Sequence, residues 1–164
     1  MRRLGFAVRE VMEGSLQRPG ENFDRPFRFD LLVVFPTLLA GITDAPGRAE
    51  GTVRIDGLAR DVPAAGTLVL SPLRKRRVRY TFDFDADDGR RYRFDGWKTI
   101  RGWRVRRSWT VLPGNVYDDG GQVWATATLY FSFRRHFPGL MGSFRLRWVR
   151  PAERPAPVVI RRAA

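Results

Sequence analysis

The sequence predicts an all-β domain, an antiparallel barrel of about eight to ten strands with a β-sandwich as the alternative. Apolar and polar side chains alternate with a period of two along most of the chain, and this pattern is typical of half-buried strands. No segment sustains the period of an α-helix. A closed barrel is favoured because closure leaves no exposed edge along strands that are long and aromatic.

The clearest element is a hairpin between Val78 and Trp97, where aromatic and polar residues alternate on both sides of Asp87-Asp88-Gly89. A three-residue loop with Gly89 in the left-handed region keeps the two patterns in register. On one face it pairs aromatic residues, Phe84 with Tyr92 and Phe82 with Phe94. On the other face it pairs aspartate with arginine, Asp85 with Arg91 and Asp83 with Arg93. A two-residue loop would place an aromatic residue opposite an arginine, so the pattern selects the loop length.

The other alternating runs predict the remaining strands. In chain order they are Leu4–Val8, Phe27–Phe35, Val53–Ile55, Leu68–Leu70, Trp103–Val111 with a bulge near Arg107, Val123–Phe133 and Phe144–Trp148. Turns are predicted at Asp44–Gly47, Pro113–Asn115 and Asp118–Gly121. Single helical turns are expected near Val11–Leu16 and Pro36–Ala40. We expect one domain over residues 1–150 and a mobile tail over 151–164, which is rich in Pro, Ala and Arg and has no periodicity.

Length and composition bound the class of protein. The chain has 164 residues and 43% hydrophobic content, which is enough for one domain with its own core. It contains no cysteine, which excludes a disulfide scaffold, a thiol nucleophile and cysteine-ligated metal sites. No apolar stretch of a signal peptide follows the basic start. The longest apolar run, Leu31–Ile42, is interrupted by Pro36 and Gly41 and is too short to span a bilayer. We therefore expect a soluble, cytoplasmic protein without a membrane span.

The net charge of +13 points to an anionic partner. All but two of the 30 basic residues are arginine, a bias that a GC-rich genome also produces. Two stretches, 74–79 and 98–107, are strongly basic, and the second is interleaved with tryptophan, as in proteins that bind single-stranded nucleic acid. The simpler interpretation places Trp97, Trp103 and Trp109 in the core with the arginines on the solvated face. The candidate anion-binding residues are Arg74, Arg76, Arg77, Arg104 and Arg106.

Catalytic and metal-binding motifs are weak. The acidic run before Gly89 lacks the spacing of a calcium loop, because Asp88 stands where glycine is needed and Phe94 where glutamate is needed. His136 is the only histidine, and we interpret it as structural or solvent-exposed. Glycine motifs that hold phosphates or dinucleotides are missing from the sequence. We therefore expect no catalytic residue, no metal site and no cofactor.

The aromatic residues, 12 Phe, 5 Trp and 4 Tyr, exceed what a narrow barrel needs to fill its interior. Barrels of about eight strands either pack solid or hold one small ligand. If the interior is wider than its side chains can fill, the remaining space must hold water or an apolar molecule, and an aromatic lining favours the apolar molecule. The candidate lining residues are Phe29, Val33, Phe82, Phe94, Leu129 and Phe131.

Several segments together resemble a known family. They are Glu10–Gly14, the paired runs Ala49–Val53 and Gly66–Leu70, the hairpin 78–100 and the strand Trp124–Phe133. These segments are similar to an accessory β-domain that accompanies some bacterial glucose-methanol-choline oxidoreductases of the cholesterol-oxidase-like type and also occurs alone. The resemblance covers residues 8–133 and implies a lipocalin-like β fold and an association with the oxidation of sterols or other lipids. Nothing in the chain resembles the flavin-binding or catalytic part of those enzymes, so no catalytic residue is carried over.

Three hypotheses for the function follow. The first is a non-enzymatic barrel that binds an apolar molecule, a lipid or sterol-like compound, or docks onto a lipid-modifying oxidoreductase. The second is a basic module that binds nucleic acid or acidic phospholipid through the arginines named above. The third is a small enzyme with its active site inside the barrel, where His136 or acidic groups act as acid and base. A hollow apolar interior favours the first, basic segments on one face favour the second, and a buried carboxylate favours the third.

Overall fold

The computed structural model of the protein describes residues 3–37, 44–71, 77–99, 111–131 and 145–149. These residues form nine β-strands: β1 Arg3–Gln17, β2 Arg25–Phe35, β3 Pro46–Ile55, β4 Ala59–Ser71, β5 Arg77–Asp85, β6 Arg91–Thr99, β7 Val111–Tyr117, β8 Val123–Phe131 and β9 Arg145–Val149. Among the residues in these ranges, no helix is long and apolar enough to span a membrane.

The strands close into a barrel. Each strand from β1 to β7 pairs antiparallel with the next one in the chain. β8 then pairs with the second half of β1 and closes the sheet. β9 lies beside the first half of β1, where it pairs with Arg3–Ala7. The predicted all-β, antiparallel, lipocalin-like barrel is therefore confirmed, with eight strands in the closed ring, and the sandwich alternative is not adopted.

The strands are strongly staggered around the barrel. Val34 on β2 pairs directly with Ala7 on β1. A line that starts at this pair and passes through directly paired residues on β3 to β8 returns to β1 at Gln17. Gln17 lies ten residues beyond Ala7, where the line began. For eight strands, such a stagger corresponds to a strand tilt of roughly 40° and to an interior that side chains can fill or that can hold one small ligand.

The hairpin of β5 and β6 has the predicted register. Phe82 lies opposite Phe94 and Phe84 lies opposite Tyr92, and all four side chains are buried. Gly89 has a φ of 77°, which is the left-handed conformation that the three-residue loop requires.

The outer face of this hairpin carries the predicted ion pairs. Arg93 Nε donates to Asp83 at 2.7 Å, and Arg91 Nε donates to Asp85 at 3.0 Å. Similar pairs cover other strands: Arg9–Asp30, Arg28–Glu13, Arg54–Asp61 and Arg79–Asp95. Because these pairs are largely exposed to solvent, each stabilises the fold by only about 0–1 kcal/mol.

Two local predictions are wrong. Val11–Leu16, expected to form a helical turn, lies within β1 and pairs with both of its neighbours. Pro113–Asn115, expected to form a turn, lies within β7. Pro113 lies one residue beyond the last pair between β6 and β7. Among the described residues, β7 has no neighbour on its β6 side at that position, so the missing N–H group of proline costs no hydrogen bond of the sheet there. The predicted helical turn at 36–40, the strand at 103–111 and the tail at 151–164 lie partly or wholly outside the described residues.

Glycines on the inner surface leave room for a large ring. Gly96 on β6 and Gly114 on β7 pair with each other. A Cβ atom on Gly96 would lie 2.7 Å from Phe94 Cζ, and a Cβ atom on Gly114 would lie 2.6 Å from it. The ring of Phe94 therefore lies directly against the backbone of both glycines, and no larger residue fits there without moving it.

The two ends of the barrel differ. At one end, named the turn end, short connections at 18–24, 56–58, 86–90 and 118–122 join successive strands. At the opposite end, named the far end, the connections are 36–45, 72–76, 100–110 and 132–144. β1 also begins at the far end, and β9, which runs antiparallel to β1, ends there.

Candidate functional site

A cluster of aromatic rings spans the interior of the barrel. Phe29 on β2 lies 5.2 Å from Phe82 on β5 and 6.0 Å from Phe94 on β6, measured between ring centroids. Phe82 and Phe94 lie 5.0 Å apart, and Phe27 lies 5.5 Å from Phe94. β2 lies across the barrel from β5 and β6, so these four rings meet at its axis. We name them the aromatic floor.

The predicted lining residues divide between this floor and the walls of the barrel. Phe29, Phe82 and Phe94 belong to the floor. Val33 and Leu129 are buried wall residues, and Val33 lies four residues beyond Phe29 toward the far end. Phe131 is partly buried and is the last residue of β8 at the far end.

Three polar side chains lie inside the barrel between the floor and the far end: Glu10 on β1, Tyr80 on β5 and Lys98 on β6. The Tyr80 hydroxyl donates a hydrogen bond to Glu10 Oε2 at 2.5 Å. Lys98 Nζ lies 5.2 Å from the centroid of the Tyr80 ring. That ring is itself 6.0 Å from the ring of Phe29, so this interior polar cluster adjoins the aromatic floor.

Burial has its clearest electrostatic effect on Tyr80. Only 1% of Tyr80 and 6% of Lys98 is exposed to solvent. Burial raises the pKa of the Tyr80 hydroxyl well above its ordinary value, and the charge of Glu10 and its hydrogen bond to the hydroxyl raise it further. Tyr80 is therefore a neutral donor at pH 7, and Glu10 is its acceptor.

Sequence reasoning missed this cluster and misplaced Trp97. Trp97, which was expected in the core, is 44% exposed, whereas Lys98, which was grouped with a solvated basic stretch, is buried. The alternation of β6 carries the signal for Lys98, because Phe94, Gly96 and Lys98 share one face of the strand. Glu10 lies 70 positions from Tyr80, so no local pattern connects these two residues.

Of the predicted anion-binding residues, the structure describes Arg77, which lies at the far end. Arg77 is exposed, is the first residue of β5 and pairs with Thr99, the last residue of β6. The segment 72–76 joins β4 to β5, and the segment 100–110 joins β6 to β7, so both connect strand ends at the far end. The other predicted residues lie outside the described residues: Arg74, Arg76, Arg104, Arg106 and also His136.

The charge of the chain is distributed unevenly. The described residues include 16 of the 30 basic and 16 of the 17 acidic residues, and so carry no net charge. The net charge of +13 therefore belongs to the rest of the chain. That remainder consists of residues 1–2, 38–43, 72–76, 100–110, 132–144 and 150–164, and in the chain its internal segments connect strands whose described ends lie at the far end.

Comparisons with known proteins add no identification. No family model, no curated protein and no solved structure matches this chain. The site is therefore interpreted from its own residues, and the oxidoreductase association stays a prediction of the resemblance.

A buried phenol near the turn end predicts loss of stability at alkaline pH. Burial and a 2.8 Å hydrogen bond from its hydroxyl to Asp88 Oδ2 raise the pKa of Tyr92 to about 12. Below about pH 10, the ordinary pKa of tyrosine, the phenol keeps its proton in both the folded and the unfolded chain. Between about pH 10 and the folded pKa, only the unfolded chain loses that proton, so the free energy of unfolding decreases as the pH rises.

Melting temperatures measured from pH 8 to pH 11.5 test this prediction. We expect the melting temperature to decrease above about pH 10, and to decrease less steeply in the variant Tyr92→Phe, which has no phenol to ionise. Identical alkaline profiles for the two proteins would contradict it.

Proposed function

We propose that this protein is a non-enzymatic barrel that binds a small apolar molecule in the half of its interior toward the far end. The observation that carries the proposal is the aromatic floor. Because rings from opposite walls meet at the axis, the interior is filled there, and a ligand enters from the far end and rests on the floor.

The walls beyond the floor support an apolar ligand. Buried aliphatic side chains line this half of the interior: Leu31, Val33, Leu68, Val78, Leu112 and Leu129. The mouths of β-barrels are common ligand sites, and such sites combine apolar walls with a few polar groups. The resemblance implies a further possibility within the same proposal, in which the domain docks onto a lipid-modifying oxidoreductase and holds a lipid or sterol-like molecule for it.

The enzyme hypothesis receives partial support from Glu10, a carboxylate on the inner surface. Its Oε2 atom accepts the hydrogen bond of Tyr80 at 2.5 Å, however, and a carboxylate held in this way is less free to act as a base. His136 lies outside the described residues and contributes no geometry. We therefore place the non-enzymatic barrel first.

Titration with N-phenyl-1-naphthylamine, a neutral probe that becomes fluorescent in apolar surroundings, tests the proposal. A neutral probe is needed because an anionic one would also bind a chain of charge +13. We expect saturable binding with a dissociation constant in the micromolar range. The variant Ala49→Phe, which adds a ring on the inner surface beyond the floor, should weaken binding at least about tenfold, or about 1.4 kcal/mol.

Ala65→Phe is the matched control, since Ala65 lies on the outer surface of β4. It adds the same ring outside the barrel and should leave the dissociation constant unchanged. A titration without saturation, or equal losses in the two variants, would refute binding inside the barrel. Native mass spectrometry after mild purification addresses the docking role, since it shows both a co-purifying lipid and a partner protein.

The uneven charge supports a second candidate function, a basic module that binds nucleic acid or acidic phospholipid. The described residues carry no net charge, and the entire net charge belongs to segments outside them, which in the chain precede or follow strand ends at the far end. Arginines that contact phosphates release counterions from the polyanion, so such binding weakens steeply with salt.

Fluorescence anisotropy with single-stranded DNA, and sedimentation with vesicles that contain phosphatidylserine, test this function. If four arginines contact phosphates, affinity for the DNA should fall roughly fiftyfold between about 50 and 200 mM salt. Replacing Arg74, Arg76, Arg104 and Arg106 with glutamine should abolish the binding. The control replaces Arg48, Arg54, Arg79 and Arg93, which removes the same charge from paired residues on the outer surface. Equal losses in both variants would show that only net charge matters.

A further inference from the structure

We infer that Glu10, Tyr80 and Lys98 form the head-group site of the barrel, and that its ligand is a neutral alcohol, an apolar molecule bearing a hydroxyl group. This inference deepens the proposed function and rests on it. It assigns a chemical class to the ligand and a role to three side chains that an apolar interior does not need.

The position of the cluster suits the polar end of a bound molecule. Its three members come from three different strands, β1, β5 and β6, and lie on the far-end side of the aromatic floor. Tyr80 connects the two features, because its hydroxyl donates a hydrogen bond to Glu10 while its ring lies near both Lys98 Nζ and the ring of Phe29. A ligand whose apolar part lies along the floor and walls would therefore place a polar group within reach of all three side chains.

Tyr80 and Lys98 are buried and Glu10 is partly buried, and an apolar interior does not need these polar groups. Replacing buried charged groups with well-packed apolar residues is often neutral or stabilising. Lys98 is also the only lysine among the described residues, in a chain whose other basic residues there are all arginine. A compact ammonium with three rotatable donors fits a confined interior better than a planar guanidinium.

The charges of the cluster select the class of head group. Glu10 and Lys98 carry opposite charges and Tyr80 is neutral, so the cluster as a whole is neutral. A carboxylate head would meet the like charge of Glu10, and an amine head would meet that of Lys98, in an interior where charges interact strongly. A hydroxyl group donates one hydrogen bond and accepts others. It can accept from the Lys98 ammonium while it donates to an oxygen of Glu10 or Tyr80.

Displacement of N-phenyl-1-naphthylamine by four ten-carbon compounds, 1-decanol, decane, decanoate and decylamine, tests the inference. In the unmodified protein we expect 1-decanol to displace the probe at a concentration at least about tenfold lower than the other three. Glu10→Gln leaves Lys98 as the only charge of the cluster and should move the preference toward decanoate. Lys98→Met leaves Glu10 as the only charge and should move it toward decylamine.

The outer-face variant Glu13→Gln is the matched control, since Glu13 lies on the same strand as Glu10 and pairs with Arg28 in solvent. It should leave the order of the four compounds unchanged. Saturable probe binding with decane as effective as 1-decanol would overturn the inference and leave the proposed function standing. An order that stays the same in Glu10→Gln and Lys98→Met would also overturn it. If either variant fails to fold by circular dichroism, the order in the unmodified protein decides. A probe that does not bind at all would overturn the proposed function, and the inference with it.

Discussion

Phe82→Ala should lower the free energy of unfolding by about 3–5 kcal/mol, because it removes a fully buried ring and leaves a cavity at the centre of the barrel. The ring of Phe82 contacts those of Phe29, Phe84 and Phe94, so one truncation weakens the packing between β2, β5 and β6 together. For a domain of this size the loss corresponds to a decrease of roughly 6–20 °C in melting temperature.

Urea unfolding followed by tryptophan fluorescence measures this loss. Phe23→Ala is the control, since Phe23 is 56% exposed in the connection between β1 and β2, and its truncation should change stability by less than about 0.5 kcal/mol. A loss of under about 1 kcal/mol for Phe82→Ala would show that the rings do not form the tightly packed floor described above.

The second large effect is expected at a glycine that holds two strands close together. A Cβ atom on Gly66 would overlap the carbonyl oxygen of Thr81 and would lie 2.5 Å from the Cα atom of Phe82. Both contacts are with the backbone of the paired strand β5, which cannot rotate away as a flexible side chain can. Gly66→Ala should therefore force β4 and β5 apart and destabilise the barrel by about 1–3 kcal/mol or more.

Gly120→Ala supplies the comparison for this substitution. Gly120 lies in the exposed turn between β7 and β8, where an added Cβ atom would lie 3.3 Å from Asp118 Oδ1, and the change should be nearly neutral. If Gly66→Ala is as stable as Gly120→Ala in the same urea assay, the close approach of β4 and β5 is not a constraint on the fold.

The elements that sequence reasoning predicted well are those whose pattern is local. In the β5–β6 hairpin, the alternation and the position of Gly89 determine the register together, and every predicted pair is present. Phe27–Phe35 alternates over a long stretch, and β2 ends at the predicted residue. In both cases the turn and the two faces of the strand favour the same structure.

The predictions that failed depend on contacts between distant segments. Val11–Leu16 is short and ambiguous in isolation, and it is extended because β2 and β8 bond to it from both sides. Pro113–Asn115 has the composition of a turn, but β8 pairs with it and makes it a strand. Glu10, Tyr80 and Lys98 come together only when the ring of strands closes, so the composition of their own segments gives no indication of the site.

The closure of the ring by β1 also affects when the protein can fold. Gly14 pairs with Leu129, about 115 residues later in the chain, so the second half of β1 gains its second neighbour only after β8 has been made, and the first half gains it only with β9. Until then this edge of β1 is unpaired, and an unpaired edge can bond to other chains. Pairing between such distant segments makes folding slow. The risk of aggregation is therefore greatest between the synthesis of β1 and that of β8 and β9.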